Sequence, residues 1–223
     1  MDEMPYTNWG HPCQYIFVDK ISGKYTVQEA DMPPLNLQDW RLMTQLEKFP
    51  DPILFDFSNV KSAKSGLNPA NCYAVIISGG GDKFSNNVRY WNDCSAIFSS
   101  LISVYGYLNE NIYVIMSDGT DPAHDRVHPN GTFDSSPLDL NGDGRNDIQY
   151  ASTKNNIKAV FNTLSRKLTT DDYLFIFTTD HGGSSSQGAY LVLWEGEVMY
   201  ASEFATEVNK IKAGNISIVM EQC

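Results

Sequence analysis

The sequence predicts an α/β fold: a mostly parallel sheet with helices on both faces, preceded by an N-terminal β-hairpin and short helix. Three observations carry this. From residue 72 onward, continuous apolar runs (CYAVIIS, NIYVIMS, DYLFIFTT, NISIVMEQC) alternate with segments whose apolar residues recur at helical spacing. Such runs are typical of strands covered on both faces, and strand–helix alternation favours parallel pairing. Of the 223 residues, 42% are hydrophobic and 12% aromatic, which is enough for a real core and unlike a disordered chain.

Residues 1–65 are expected to form an accessory or propeptide-like segment, and 66–223 the main domain. In the first, CQYIFVD and KYTVQEA flank Ile21-Ser22-Gly23, the signature of a hairpin with a glycine turn. After Pro33-Pro34, Asn36 can cap a short helix that carries Trp40, Met43 and Leu46 on one face, until FPDP breaks it. VKSAKSGLNPAN then links to the main domain.

CYAVIIS is the first buried strand. Residues 88–105 follow as a helix, with Cys94, Ile97, Phe98, Leu101, Ile102 and Tyr105 in step and Gly106 as terminator. NIYVIMS is the second strand. A polar segment to about residue 151 precedes a helix capped by Ser152 or Thr153, with Ile157, Val160, Phe161, Leu164 and Leu168 on one stripe. DYLFIFTT is the third strand. AYLVLW and EVMYAS read as a hairpin around Glu195-Gly196, and Ser202 as the cap of a helix bearing Phe204, Val208 and Ile211. NISIVMEQC is expected as a fourth buried strand.

A formal net charge of -11 argues against nucleic acid or an anionic membrane as partner, since neither would meet a basic surface. No transmembrane run and no signal peptide are visible, so membrane insertion is not expected. The opening residues MDEMPYTN suit a start after leader removal, and a secreted or periplasmic location is the expectation. The four cysteines, Cys13, Cys72, Cys94 and Cys223, are widely spread without a CxxC pair. Neither a zinc ribbon nor a dense disulfide framework is indicated, and one disulfide stays open.

The chemistry gathers at strand ends, where open parallel sheets place their sites. One buried run ends at Asp180-His181-Gly182-Gly183 and another at Cys223. Neighbouring strands lie about 4.8 Å apart, so their terminal side chains can reach a common carbonyl. A thiol needs a base to become the nucleophilic thiolate, and imidazole can take that proton and later give it to a leaving amine. Glycines after the histidine let backbone N–H groups approach a developing oxyanion. Taken singly, His181 reads as a turn residue and Cys223 as a small buried hydrophobe. Together, at one edge of the sheet, they read as a dyad.

FIFTTDHGG followed by IVMEQC resembles the legumain-like cysteine peptidases, relatives of caspases and gingipains, in which one strand ends in DHG and a later one in E-x-C. YAVIISGGGDKFSNNVRYWNDCSAIFSSLISVYGYLNENIYVIMSDG is similar to that family's first strand, loop, helix and second strand, with Asn87-Val88-Arg89 and Asp93 matching its Asn-x-Arg and following Asp. The match covers roughly residues 72–223, with 118–150 unmatched. The resemblance implies a caspase-like fold and a cysteine endopeptidase acting on peptide or protein substrates. Cys223 would be nucleophile and His181 general acid/base. Gly182 and Cys223 would supply oxyanion N–H groups, and Asn87 would orient His181. Arg89 and Glu221 would line the primary specificity pocket. A donor beside an acceptor complements a carboxamide, so cleavage after Asn, and after Asp at lower pH, is expected. An ordinary Arg89–Glu221 salt bridge is the plainer alternative. The family has further elements after its catalytic cysteine, so the expectation is that the sheet's far edge and part of the cleft are missing. Low turnover by this chain alone is then expected. Transpeptidation through the same acyl-enzyme, or a non-catalytic calcium-stabilised scaffold, are the rival readings.

A separate motif lies in LDLNGDGRNDIQY. Asp139, Asn141, Asp143, Gly144 and Asp147 match the first nine positions of an EF-hand-like loop, with the Arg145 carbonyl as a further ligand. Structural Ca²⁺ is expected there, although Tyr150 stands where the usual bidentate carboxylate would be; an Asx-rich turn without metal is the alternative. No organic cofactor is expected. GGGDKF lacks the third glycine of a dinucleotide loop and the GK[ST] of a phosphate loop, and there is no G-x-S-x-G. Pro122 and Pro129 argue against a helical metal face at His124 and His128. Asn130-Gly131-Thr132 is a glycosylation sequon.

Overall fold

The computed structural model describes residues 13–18, 25–30 and 68–222. Cys223 and the helix expected after Asn36 lie outside them. The chain divides into two units, Met1–Pro50 and Asp51–Cys223. In the first, β1 (Cys13–Val18) and β2 (Tyr25–Ala30) pair antiparallel, Cys13 opposite Ala30 and Val18 opposite Tyr25. This is the hairpin that the Ile21-Ser22-Gly23 turn signal predicts.

In the second unit, β3 (Cys72–Ser78) is buried along its whole length, as its unbroken apolar run requires. α1 (Val88–Ser103) begins where the Asn87 side chain accepts the Arg89 N–H, and the chain turns away at Gly106, whose φ of 73° suits glycine. β4 (Ile112–Met116) follows, then a short hairpin of β5 (Arg126–Val127) and β6 (Phe133–Asp134), then β7 (Ile148–Tyr150). α2 (Lys154–Lys167) is capped by Thr153, which accepts from Asn156 N. β8 (Tyr173–Asp180) leads into a three-stranded antiparallel sheet of β9 (Gly182–Ser185), β10 (Gly188–Val192) and β11 (Val198–Tyr200). α3 (Ala201–Val208) and β12 (Asn215–Gln222) complete the described chain.

The central sheet has five strands in the order β12-β8-β3-β4-β7, every pairing parallel. Alternation along the strands separates two cores. Ala74, Ile76, Val114 and Phe177 meet Cys94, Phe98 and Leu101 of α1 on one face. Val75, Ile77, Ile115 and Ile176 meet Ile157, Phe161 and Leu164 of α2 and Phe204 of α3 on the other. Each fully buried Leu, Ile or Phe is worth about 1.5–3 kcal/mol. The fold is therefore held from both faces, as a parallel sheet must be. No described helix is long and apolar enough to cross a membrane.

Three expectations need correction. The polar stretch before α2 contains a fifth sheet strand, β7, whose three residues carry no apolar run to announce it. Gln149 bonds the backbone of β4 with its side chain, Nε2 to Ile112 O at 3.1 Å and Oε1 from Val114 N at 3.2 Å, where the register shifts. β12 is the outer strand rather than a buried one: Ile218, Val219 and Met220 are 42%, 47% and 53% exposed. The α3 cap is Tyr200 rather than Ser202, because the Glu203 carboxylate reaches back to Tyr200 N at 2.9 Å and fixes the start earlier.

Candidate active site

The strand order sets the place. From β3 the chain passes over one face through α1 to β4, and returns over the other face through α2 to β8, on the opposite side of β3. The carboxyl ends of β3 and β8 therefore flank a topological switch point, the crevice where open α/β sheets bind ligands. His181 stands there, immediately after β8.

Asp180 anchors the turn. It is fully buried at φ 108°, a conformation that costs a non-glycine residue about 1–3 kcal/mol unless its surroundings impose it. Those surroundings are three donors. Its Oδ2 accepts from Gly80 N at 2.6 Å and Ser78 Oγ at 3.0 Å, and its Oδ1 from His181 N at 2.7 Å. Burial pushes this carboxyl up, against the downward pull of the same His181, Gly80 and Ser78 donors. The strand ends of β3 and β8 are thus tied through one carboxylate.

The His181 ring meets the loop between β3 and α1. Nε2 lies 3.1 Å from Ser85 O and 3.5 Å from Tyr90 Oη, and the Tyr90 ring stands edge-on at 5.4 Å. A carbonyl only accepts, so the Ser85 contact selects the tautomer protonated on Nε2. In the neutral ring Nδ1 then keeps the lone pair that can take a proton. Asp180 Oδ1, 3.7 Å from Nε2, adds favourable charge once the ring is protonated.

The Ser85 carbonyl is itself held. Asp82 Oδ1 accepts from Phe84 N and Ser85 N, each at 2.9 Å, and from Ser85 Oγ at 2.6 Å; the Ser85 hydroxyl leads the causes that hold this carboxyl below its usual range. Asn86, 2% exposed, donates through Nδ2 to Ser117 Oγ at 2.8 Å and Asp125 O at 2.7 Å, and its own carbonyl accepts from Val127 N. The sequence alone announces no role for Ser85, Asn86, Tyr90 or Asp180. Ser85 acts through its backbone and Asn86 through contacts with a distant hairpin, so neither leaves a local pattern. For Asp180 there was a signal, since an acidic residue inside an otherwise apolar strand needs partners.

The expected residues fall as follows. Asn87 caps α1 through Arg89 N at 3.0 Å, and the atom placed on the His181 ring is Ser85 O. Arg89 Nη2 donates to Tyr90 Oη at 2.8 Å and stacks 4.7 Å above that ring. Glu221 is in register with Thr179 of β8, and Thr179 with Ser78 of β3, on the face that α1 covers. Asp93 of α1 senses both charges. Burial first and Glu221 second push its carboxyl up to about 6, while Arg89 pulls it down. Arg89, Asp93 and Glu221 therefore share one electrostatic neighbourhood beside the His181 turn. Gln222 lies in register with Asp180, and a side chain on Gly182 would meet the Gln222 Cβ at 2.9 Å. Only glycine lets the turn pass so close to the end of β12. The next residue, Cys223, is outside the described residues. Cys72 and Cys94 are free and buried, which leaves neither open to substrate.

The loop at 139–147 closes on itself. Asp139 accepts from Asn141 N, Gly142 N and Gly144 N at 3.1, 2.7 and 2.7 Å, and Asp143 from Arg145 N at 2.9 Å. Asp147, 1% exposed, accepts from Leu140 N at 2.8 Å and Asn109 Nδ2 at 3.3 Å. The donor set is the hard-oxygen kind that suits calcium. Among the described residues, no group of three or more His, Cys, Asp or Glu side chains is placed to hold a metal ion.

No protein-family model matches the chain, and no curated protein matches it.

Proposed function

We propose that this chain carries a cysteine endopeptidase site of the legumain-like, caspase-related kind, cleaving peptide bonds after Asn, and that the loop at 139–147 takes calcium. One observation carries the reading: His181 stands at the switch point of the parallel sheet with Nε2 turned to a carbonyl, so Nδ1 remains as base. The strand that precedes Cys223 in sequence lies beside the strand that precedes His181.

In this reading the Cys223 thiol gives its proton to His181 Nδ1, and the thiolate attacks the scissile carbonyl carbon. Negative charge moves to the carbonyl oxygen, where the N–H groups of Gly182 and Cys223 receive it. The C–N bond then breaks as His181 passes the proton to the leaving amine, which leaves a thioester. Water, deprotonated by His181, attacks the thioester; the acid product departs and the thiol is restored. Arg89 offers donors and Glu221 acceptors to a substrate carboxamide, and substrate Asp competes only at pH low enough to protonate it.

The test is single-turnover labelling, which does not need product release. A peptide electrophile bearing Asn at the recognised position is expected to modify Cys223 and no other cysteine, as read by mass spectrometry. His181→Ala should slow labelling by at least about 100-fold, the lower range of general-base contributions. Labelling that ignores both Asn and His181 removes the peptidase reading and leaves the scaffold.

A further inference from the structure

Phe84 is the most exposed of the large apolar side chains among the described residues, at 67%. The other exposed aromatic rings among the described residues, Tyr105, Tyr150 and Tyr173, each carry a hydroxyl that water can satisfy. Phe84 has none, yet it is held in place. Its ring meets Phe133 edge-to-face at 5.5 Å and 85°, and the Lys83 ammonium sits 5.1 Å from the Phe84 centroid and 5.9 Å from that of Phe133. Its backbone is pinned by Asp82, and the next residue supplies the carbonyl on the His181 ring. The β5–β6 hairpin that carries Phe133 is the same one that meets Asn86 and Asn87. A single exposed ring is ordinary. A fixed pair of rings with a cation above both, on the segment that orients the candidate base, is a prepaid recognition surface, because little side-chain entropy remains to be lost on contact.

We propose that Lys83, Phe84 and Phe133 form a substrate subsite for an aromatic side chain flanking the recognised Asn of a peptide. The proposal rests on the peptidase reading for the identity of the occupant. An aromatic ring is favoured over an aliphatic chain because edge-to-face packing extends the existing pair, and a third π face can share the Lys83 charge. Continuity with the Ser85 carbonyl places the subsite within a few residues of the bond to be cleaved.

The test uses Asn peptides with Phe, Tyr, Leu or Ala at successive flanking positions, as fluorescent ligands for equilibrium binding and as electrophiles for Cys223 labelling. At one position Phe or Tyr should bind roughly tenfold tighter than Ala, the order expected of one aromatic contact with its buried area. Phe84→Ala should bring that ratio to near one, Phe84→Tyr should keep it, and Tyr105→Ala should leave it unchanged. Lys83→Gln should reduce it by a few-fold. Equal binding of Phe and Ala peptides at every position, or a preference that survives Phe84→Ala, overturns the subsite. Cys223 labelling without aromatic preference removes the subsite and keeps the peptidase reading. Aromatic-dependent binding without Cys223 labelling does the reverse.

Discussion

Asn86 shows how a residue can matter without touching the reacting atoms. Its carboxamide joins Ser117 and Asp125, and its neighbour Ser85 presents the carbonyl to His181. Asn86→Ala strands a buried hydroxyl and a carbonyl, so a loss of about 1–3 kcal/mol is expected, measured by urea denaturation. The ¹⁵N shifts of His181 should also move away from the Nε2–H tautomer; an unchanged imidazole spectrum would show that Asn86 does not position the ring. Asp93 works by charge. Below about pH 3.9, the ordinary aspartate value, its carboxyl is protonated both folded and unfolded and contributes nothing. Between there and about 6 the unfolded chain ionises first, so stability falls; above about 6 the cost is constant. Asp93→Asn, which cannot ionise, should match the parent near pH 4 and exceed it near pH 7.5. A difference independent of pH would contradict the buried-charge account.

The hairpin of β5 and β6 is the element that braces the loop between β3 and α1. Arg126 forks onto Asp134 at 2.7 and 2.9 Å while stacking 5.3 Å from the Trp91 ring, and Asp125 accepts from Ser136 through both oxygens. Arg126 first, with His128 helping, holds the Asp134 carboxyl down at about 2, so this fork stays charged well into acid. The loop at 139–147 precedes β7 directly and fixes its start through Asp147. If calcium binds there, mass action should stabilise the fold by about 2.7 kcal/mol at a hundredfold excess over the dissociation constant. Chelation should then lower the melting temperature, and Asp143→Ala should remove the response. A melting curve indifferent to calcium leaves 139–147 as an Asx-rich turn.

Among the described residues of the second unit, two apolar cores clamp a parallel sheet, and chain order brings β3, β8 and β12 side by side. Elements whose signal is periodicity were legible in the sequence. β3, β4 and β8 announced themselves as apolar runs, and α1 and α2 as stripes, the second with Thr153 among its cap candidates. The sequence also showed that His181 follows a strand and meets glycines. Those properties depend on near neighbours, because they come from backbone geometry and the burial of one face. β7 was hidden, since three residues beside an acidic loop have no period of their own. The exposure of β12 was hidden too, since an apolar run looks the same at an edge as in the middle. The placing of β8 between β3 and β12, the bridging of two strand ends by Asp180 and the turning of the His181 ring to Ser85 O arise from long-range packing. Those are contacts between residues far apart in sequence, 42 positions for β8 with β12 and about a hundred for the bonds of Asp180 and His181. Local propensity carries no term for them; they follow from which strands pair and on which face each crossover packs.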